Sequence, residues 1–454
     1  MKKKEKNILK IINITMKYIK NLNNITQEFS EFSSKFSLED LMKRWVEDYS
    51  KILEIVKDIE KNILISWDEY SKTLALKFDW VKLDTFRVLK EEFINAEKFI
   101  SDDLKNAIKL AKNNIEKFHK RQIPNDLEPE EICKWVTCYK KFSAIEKVWL
   151  YIPWGTAPLF STVLMLAIPA KLAWCKRVIL CTPPNIAPEI LYTAKLCWVD
   201  EMYKIGWAQA IFSLANWTKQ IPKVDKIFGP WNSFVTAAKM MVSSKVAIDM
   251  PAWPSEVLVI ADKNANSSFV ASDLLSQAEH GNDSQVVLVS DDKEKIDEVL
   301  TETLKQLEKL WRNEISINAL KNSFAVLVNN IDEAIEVSNE YAPEHLIMQV
   351  DNYNNYIPKI INAWSVFLWK YSCESAGDYA SWTNHTLPTS AYAKAYSGVW
   401  LETFWKWITF QELSEKWIKS IWKEVELMAE AEWLGAHKNA MSLRIESLNN
   451  LINN

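Results

Sequence analysis

From about residue 148 the chain alternates short apolar runs with longer helical patterns, and no other feature restricts its fold as strongly. The runs VWLYIP, RVILCTPP, EMYKI and KIFGP are separated by STVLMLAIPAKLA, APEILYTAKLC, AQAIFSLAN and NSFVTAAKMMVSS. Strand, helix, strand at this spacing predicts βαβ units and a parallel sheet. A second series follows, with SEVLVIAD, FVASDLLSQAEH, QVVLVSDD, KEKIDEVLTETLKQLEKL and FAVLVNN. Two α/β layers therefore succeed one another. Residues 1 to about 145, and those after about 399, read as helical. The clearest case is SDDLKNAIKLAKNNIEKFHKRQ, where Ser101 can cap, Asp102 and Asp103 favour the first turn, and Leu104, Ile108, Ala111, Ile115 and Phe118 share one face. His119 at its end reads as structural. No short-period repeat and no low-complexity linker interrupts the pattern.

Turns in such a fold ordinarily take glycine, yet this chain has 7 Gly and 22 Trp. Together these come to roughly the glycine share of an ordinary protein, about 7%. Tryptophan recurs beside turn residues in YIPWGTAP (151–158), FGPWNSF (228–234), MPAWPSEV (250–257) and ASWTNH (380–385). Glycine serves such turns because it accepts positive φ and lets backbone approach a ligand, and an indole does neither without strain. The expectation is that UGA codons meaning glycine in the source are read here as tryptophan. Trp311, Trp405 and Trp407 offer no turn context.

At 454 residues the chain is long enough for two or three domains with full cores. Its net charge of −4 and pI near 5.9 argue against nucleic acid as main partner. The six Cys are scattered without a CxxC pair, which points to reduced thiols, a cytoplasmic setting and no catalytic cysteine. The basic start MKKKEKNILKIINITMKYIKN lacks a signal-peptide cleavage site and reads as a solvated helical extension. No run of about 18 apolar residues occurs, so no membrane span is expected.

Four of the five His fall in short polar stretches that interrupt regular elements. In SQAEHG, Gln277 and His280 stand three apart at a helix end, on one face as a metal site needs, a spacing that an ordinary surface pair also shows. In YAPEHL, Glu344 and His345 follow a helix-ending Pro and place an acid beside a base at a loop. In ESAGDYASWTNH, Asp378 follows Gly377 and His385 follows a turn; in LGAHKNA, His437 follows Gly435.

Together these stretches resemble histidinol dehydrogenase, from about residue 45 to the C-terminus. The resemblance is carried by YIPWGTAPLFSTVLMLAIPAKLAWC, GWAQAIFSLAN, KVDKIFGPWN, AIDMPAWPSEVLVIAD, LLSQAEHGNDSQVVLV, YAPEHL, YSCESAGDYASWTNHTLPTS and AEWLGAHKNA. The family carries Gly where this chain has Trp154, Trp207, Trp231, Trp253 and Trp382, and usually Pro at Asn282.

The resemblance implies an α/β fold of two incomplete Rossmann-like parallel-sheet domains, one inserted in the other, with small helical pieces at both ends. The expected divisions are 1–44 as an N-terminal helical extension, 45–150 with 255–398 as the domain bearing zinc and catalytic residues, 151–254 as the NAD-contacting domain, and 399–454 as a C-terminal piece exchanged between subunits of a homodimer. It implies zinc held by Gln277, His280, Asp378 and His437, proton transfer by Glu344 and His345, and substrate contacts from those zinc ligands together with His345, Ser255, His385 and Glu432. Tyr151, Gln209 and Asn232 resemble its NAD contacts. No GxGxxG fingerprint is present, so NAD binding of the ordinary Rossmann kind is not expected. The implied reaction is oxidation of L-histidinol through L-histidinaldehyde to L-histidine, the last step of histidine synthesis. A related dehydrogenase for another small alcohol, or an inactive metal-binding paralogue, stays open on the residues alone.

Overall fold

The computed structural model describes residues 16–20, 41–42, 44, 49–125, 127–133, 136–153, 157–229, 232–250, 254–381 and 383–452. Trp154, Trp231, Trp253 and Trp382 lie outside the described residues.

The apolar runs form two all-parallel sheets within one compact unit, residues 1–122 and 145–404. The first sheet comprises β4 (Lys147–Tyr151), β5 (Arg177–Thr182), β6 (Glu201–Lys204), β7 (Lys226–Phe228) and β8 (Ala247–Ile248), in the order β6-β5-β4-β7-β8. Its crossovers are α4 (Phe160–Leu172), α5 (Pro188–Leu196), α6 (Trp207–Asn216) and α7 (Ser233–Val242). The second sheet comprises β1 (Met16–Lys20), β9 (Glu256–Ala261), β10 (Gln285–Ser290), β11 (Ser323–Leu327), β12 (His345–Gln349) and β13 (Ser365–Leu368), in the order β1-β11-β10-β9-β12-β13. Helices α8 (Ser267–Ala278), α9 (Lys293–Leu307), α10 (Asn313–Lys321) and α11 (Ile331–Tyr341) cover its faces, and the short α12 (Glu374–Tyr379) follows β13. Among the described residues the chain enters the second sheet at β1, builds the first, and returns at β9, which is the expected insertion.

Strand β9 is buried along its whole length: Val257 and Val259 join the core under α8 and α9, Leu258 and Ile260 the core under α11. Each such side chain contributes roughly 1.5–3 kcal/mol on burial. That outweighs sinking the polar residues at the strand starts, provided their atoms are paired. They are. The Glu256 carboxylate takes both Nε and Nη2 of Arg44, and Gln285 accepts from the Tyr341 hydroxyl at 2.7 Å and donates to the Asn322 carbonyl at 2.8 Å.

Several expectations need correction. Met16–Lys20 is an edge strand paired in parallel with β11, not part of a helix. Helices α1 (Tyr49–Asp79) and α3 (Asp102–Lys120) pack on the first sheet's helices, with Ile52, Val56 and Ile63 of α1 in the core of that sheet, so 49–120 belongs with the expected 151–254 domain and not with 255–398. The small α2 (Lys90–Ala96) packs there too, against α5. Ser101 caps α3 at Leu104 N, and His119 is buried with Nδ1 3.0 Å from Gln122, as the sequence predicts.

The second compact unit, residues 123–144 and 405–454, is not wholly helical. Strands β2 (Leu127–Cys133), β3 (Val136–Ala144) and β14 (Trp405–Leu413) form an antiparallel sheet in the order β14-β3-β2, with Trp405 opposite Ala144, and α13 (Glu415–Ala431) and α14 (Gly435–Ile452) pack on each other. Residues 127–144 thus leave the first domain to which they were assigned. Trp405 and Trp407 lie in β14, whereas Trp311 does sit in a turn, just before α10. Among the described residues no helix is long and apolar enough to cross a membrane.

Candidate active site

The site forms where the second sheet's strands begin. Ser255 precedes β9, Glu344 precedes β12, and His345 is the first residue of β12. Helix α11 stops because Ala342 turns left-handed (φ 51°) and Pro343 removes a donor, so Glu344 and His345 are thrown inward. Both are buried, and His345 opens a strand where the sequence suggested a loop. Gln277 lies in the last turn of α8 and His280 just beyond it. Asp378 is carried on α12, which comes close because Gly377 has no side chain: a Cβ there would meet the Phe367 ring at 2.8 Å.

These groups line one cavity with His385, Thr162 and Glu374. The Glu344 carboxylate accepts the Glu256 N–H at 2.9 Å, and Glu256 is itself fixed by Arg44 and by the Ser390 N–H. His345 Nδ1 stands 3.6 Å from Glu374 and 3.9 Å from Glu344. The Gln277 amide, oriented to satisfy its hydrogen bonds, donates to Glu374 and accepts from the Glu256 N–H at 2.8 Å. His385 contacts the Asp378 carbonyl at 3.0 Å through Nδ1 and Thr162 Oγ1 at 3.2 Å through Nε2.

Burial governs the charge states. It pushes Glu344 and Glu374 well above the carboxylate range, an effect that the charges of neighbouring carboxylates add to, and raises Asp378 to about 6 against the opposing pull of His280. It lowers His345 to about 3, with His280 adding repulsion, and His385 to about 4, so both imidazoles are neutral near pH 7. Neutral imidazoles beside crowded carboxylates are what a divalent cation requires. His280, Glu374 and Asp378 can each bring a ligand atom within 4.8 Å of the others, at the helix end where the dipole favours positive charge.

Sequence reasoning did not single out Glu374, Glu256, Arg44 or Thr162. Only Glu374 carried a local signal: it stands four residues before Asp378, the spacing that shares a helix face.

The expected nucleotide contacts gather elsewhere, at the carboxyl ends of the first sheet. Tyr151 ends β4, is fully buried, and its hydroxyl accepts the Trp207 N–H at 2.9 Å. Gln209 is buried in the first turn of α6, and Asn232 caps α7 through Phe234 N and Val235 N. Gly229 beside it has φ 125°, and a Cβ would come 2.3 Å from the Tyr151 carbonyl oxygen. Lys239 pairs with buried Asp249 and donates to the Gly229 carbonyl at 3.0 Å, holding this turn. Glu432 and His437 belong to the second unit, at the end of α13 and in the first turn of α14, and both are exposed there. The described cysteines are free thiols, and burial raises Cys175 and Cys197 to about 12, against nucleophilic use.

The sequence profile of the histidinol dehydrogenase family matches residues 42–445. The chain is 50% identical to histidinol dehydrogenase of Bacteroides thetaiotaomicron over 425 residues, covering 92% of this chain and 99% of that protein. It is 50% identical to the Haemophilus influenzae protein of the same name over 410 residues, covering 90% and 96%. The crystal structure of histidinol dehydrogenase from Elizabethkingia anophelis matches at a TM-score of 0.88 and 48% identity, over 96% of this chain and 99% of that one.

Proposed function

Since the chain belongs to the histidinol dehydrogenase family and is an oxidoreductase, we propose that it oxidises L-histidinol through L-histidinaldehyde to L-histidine with NAD and zinc. The observation carrying this is convergence: Ser255, Gln277, His280, Glu344, His345, Asp378 and His385, from four separate stretches of sequence, line one cavity. Gln277, His280 and Asp378 would hold zinc, with His437 as a further ligand, in an oxygen and nitrogen shell of low charge suited to such an ion. Bound there, zinc would supply a positive charge that anchors the substrate, and NAD would supply the acceptor for the electrons of both oxidations.

His345, neutral through burial, takes the alcohol proton in the first oxidation. Glu344, whose ionised form the Glu256 N–H favours and the charge of bound zinc would favour further against the burial that raises it, takes a proton from the water that adds to the aldehyde. Ser255, His385 and Glu432 contact the substrate, while Tyr151, Gln209 and Asn232 border the NAD site. Nicotinamide reduction on adding histidinol, zinc and NAD is the test. Turnover of simple amino alcohols alone, or no turnover, overturns the reading.

The working form would be a cytoplasmic homodimer in which His437 and Glu432 serve the partner's site. In support, Leu427, Met428 and Leu443 of the second unit are exposed, apolar surface that a second copy can cover. Mixing His437→Asn and His345→Asn chains should restore activity that neither has alone; no restoration removes the shared site.

A second observation bears on the sequence itself. Of the thirteen non-glycine residues with positive φ among those described, eight are tryptophan: 67, 80, 174, 198, 207, 217, 369 and 433. Three of them occupy one motif. After α4, Trp174 N bonds Lys171 O and Cys175 N bonds Ala170 O; Trp198 with Val199, and Trp433 with Leu434, repeat the pattern after α5 and α13. This is the left-handed helix cap in which glycine dominates, because a side chain there costs about 1–2 kcal/mol. These positions support glycine as the residue the source organism inserts at the corresponding UGA codons. A tryptophan mass for residue 174, 198 or 433 in peptides from that organism would refute it.

A further inference from the structure

Two buried polar atoms beside the cavity have no hydrogen-bond partner, His345 Nδ1 and Glu374 Oε2. Their side chains face each other, with Nδ1 3.6 Å from Glu374 Oε1, too long for a hydrogen bond and short enough to close into one without backbone movement. The same carboxylate accepts the Gln277 amide N–H. Glu374 is 1% exposed and, among the described residues, is paired with no cationic side chain, its contact with His345 being to a neutral imidazole. A carboxylate so placed costs free energy unless something charged or protic engages it. Both residues that it can engage are ones to which the proposed reaction gives a role.

We propose that Glu374 is a positioning residue: its carboxylate accepts the Nδ1–H of His345, which leaves Nε2 as the unprotonated nitrogen for the substrate hydroxyl, and holds the Gln277 amide so that its oxygen is turned away from the carboxylate. This rests on the reading of His345 as the proton acceptor and on Glu374 being ionised when the two N–H groups engage it, since a protonated carboxyl would donate to Nδ1 and leave the proton on Nε2. No bond forms or breaks at Glu374; it selects one of two imidazole tautomers and one of two amide orientations. Burial, which drives His345 neutral, makes the tautomer the remaining variable. The neighbouring arrangement is consistent, since Glu344 is already occupied by the Glu256 N–H and leaves Glu374 as the nearer acceptor for Nδ1.

The test uses the zinc-loaded full-length chain and its Glu374→Gln, Glu374→Asp and Glu374→Ala variants. Expected for Glu374→Gln is a kcat for histidinol about 10- to 100-fold lower, with the NAD KM and zinc content within about twofold of the parent, and partial recovery in Glu374→Asp. Nitrogen-15 NMR of His345 should show the Nδ1–H tautomer in the parent and a mixture in Glu374→Gln. An unchanged kcat, a parent imidazole protonated on Nε2, or zinc lost in proportion to activity would each overturn the proposal, the last by making Glu374 a ligand. The parent's tautomer tests it even if a variant fails to fold. A parent inactive on histidinol while carrying the Nδ1–H tautomer would sink the reaction assigned above and leave the His345–Glu374 pairing standing.

Discussion

The two parallel sheets share a strand order and use opposite edges. In each, the first strand is central, the second and third lie to one side and the fourth and fifth to the other; the second sheet adds β1 outside β11. Yet the expected nucleotide contacts Tyr151, Gln209 and Asn232 sit at the carboxyl edge of the first sheet, and Ser255, Glu344 and His345 at the amino edge of the second. At a carboxyl edge the following helices begin, with unpaired N–H groups that favour anions, and the point where strand order reverses opens a crevice. At an amino edge helices end, and carbonyls with the negative end of the dipole favour cations. One topology therefore offers two electrostatically opposite sites. Each edge is tied by one buried ion pair, Arg44–Glu256 in the second sheet and Lys239–Asp249 in the first.

The largest expected effect separates the edges by function. His345→Asn should lower kcat for histidinol by about 10²- to 10⁴-fold with the NAD dissociation constant unchanged, since a lost proton acceptor costs that much. A parallel loss of NAD binding in titrations would break the division. Next come the ion pairs. Removing one partner of a buried pair strands a charge and costs about 3–5 kcal/mol, so Arg44→Met and Lys239→Met should lower the urea midpoint similarly. Arg44→Met should also lower kcat, because Glu256 holds Glu344, whereas Lys239→Met should raise the NAD KM; identical kinetics in the two variants would erase the contrast.

Asp273, buried in α8 and accepting from Gln349 at the carboxyl end of β12 at 2.9 Å, gives a pH test. Burial raises its pKa to about 7 from 3.8, so the folded state keeps a proton that the unfolded chain releases. Stability from this group is full below about pH 4 and lost as pH rises through 7, by up to about 4 kcal/mol. Asp273→Asn should therefore gain Tm over the parent between pH 5 and 8, and a constant difference would place the penalty elsewhere. The smallest effect is a cap: Asn232→Ala removes the acceptor for Phe234 N and Val235 N and should cost about 1 kcal/mol by urea unfolding.

Local pattern was enough for the elements whose residues bury both faces. EVLVIA and QVVLVS read as buried strands and are, and Ser101 reads as a cap and is. It failed where a strand takes its partner from afar. WKWITFQEL is rich in the aromatic and β-branched residues of strands, but its partner is 136–144, more than 250 residues earlier, so it was assigned to a helical piece. Glu374 was missed for a related reason. Its helix spacing to Asp378 was visible, but its importance comes from His345 and Gln277, which lie on other elements.

The sequence by itself determined the two βα series and the residue types of the site, because periodicity, caps and polar interruptions are local and each follows from nearest neighbours along the chain; the insertion of one series in the other came only from the family resemblance. Only the tertiary structure decided that the groups proposed for catalysis meet at an amino edge, that α1 and α3 pack on the first sheet, and that Arg44 and Glu374 stand behind Glu344 and His345. Those outcomes depend on which distant surfaces exclude water together, and on buried charges finding partners, and neither is written in any single stretch.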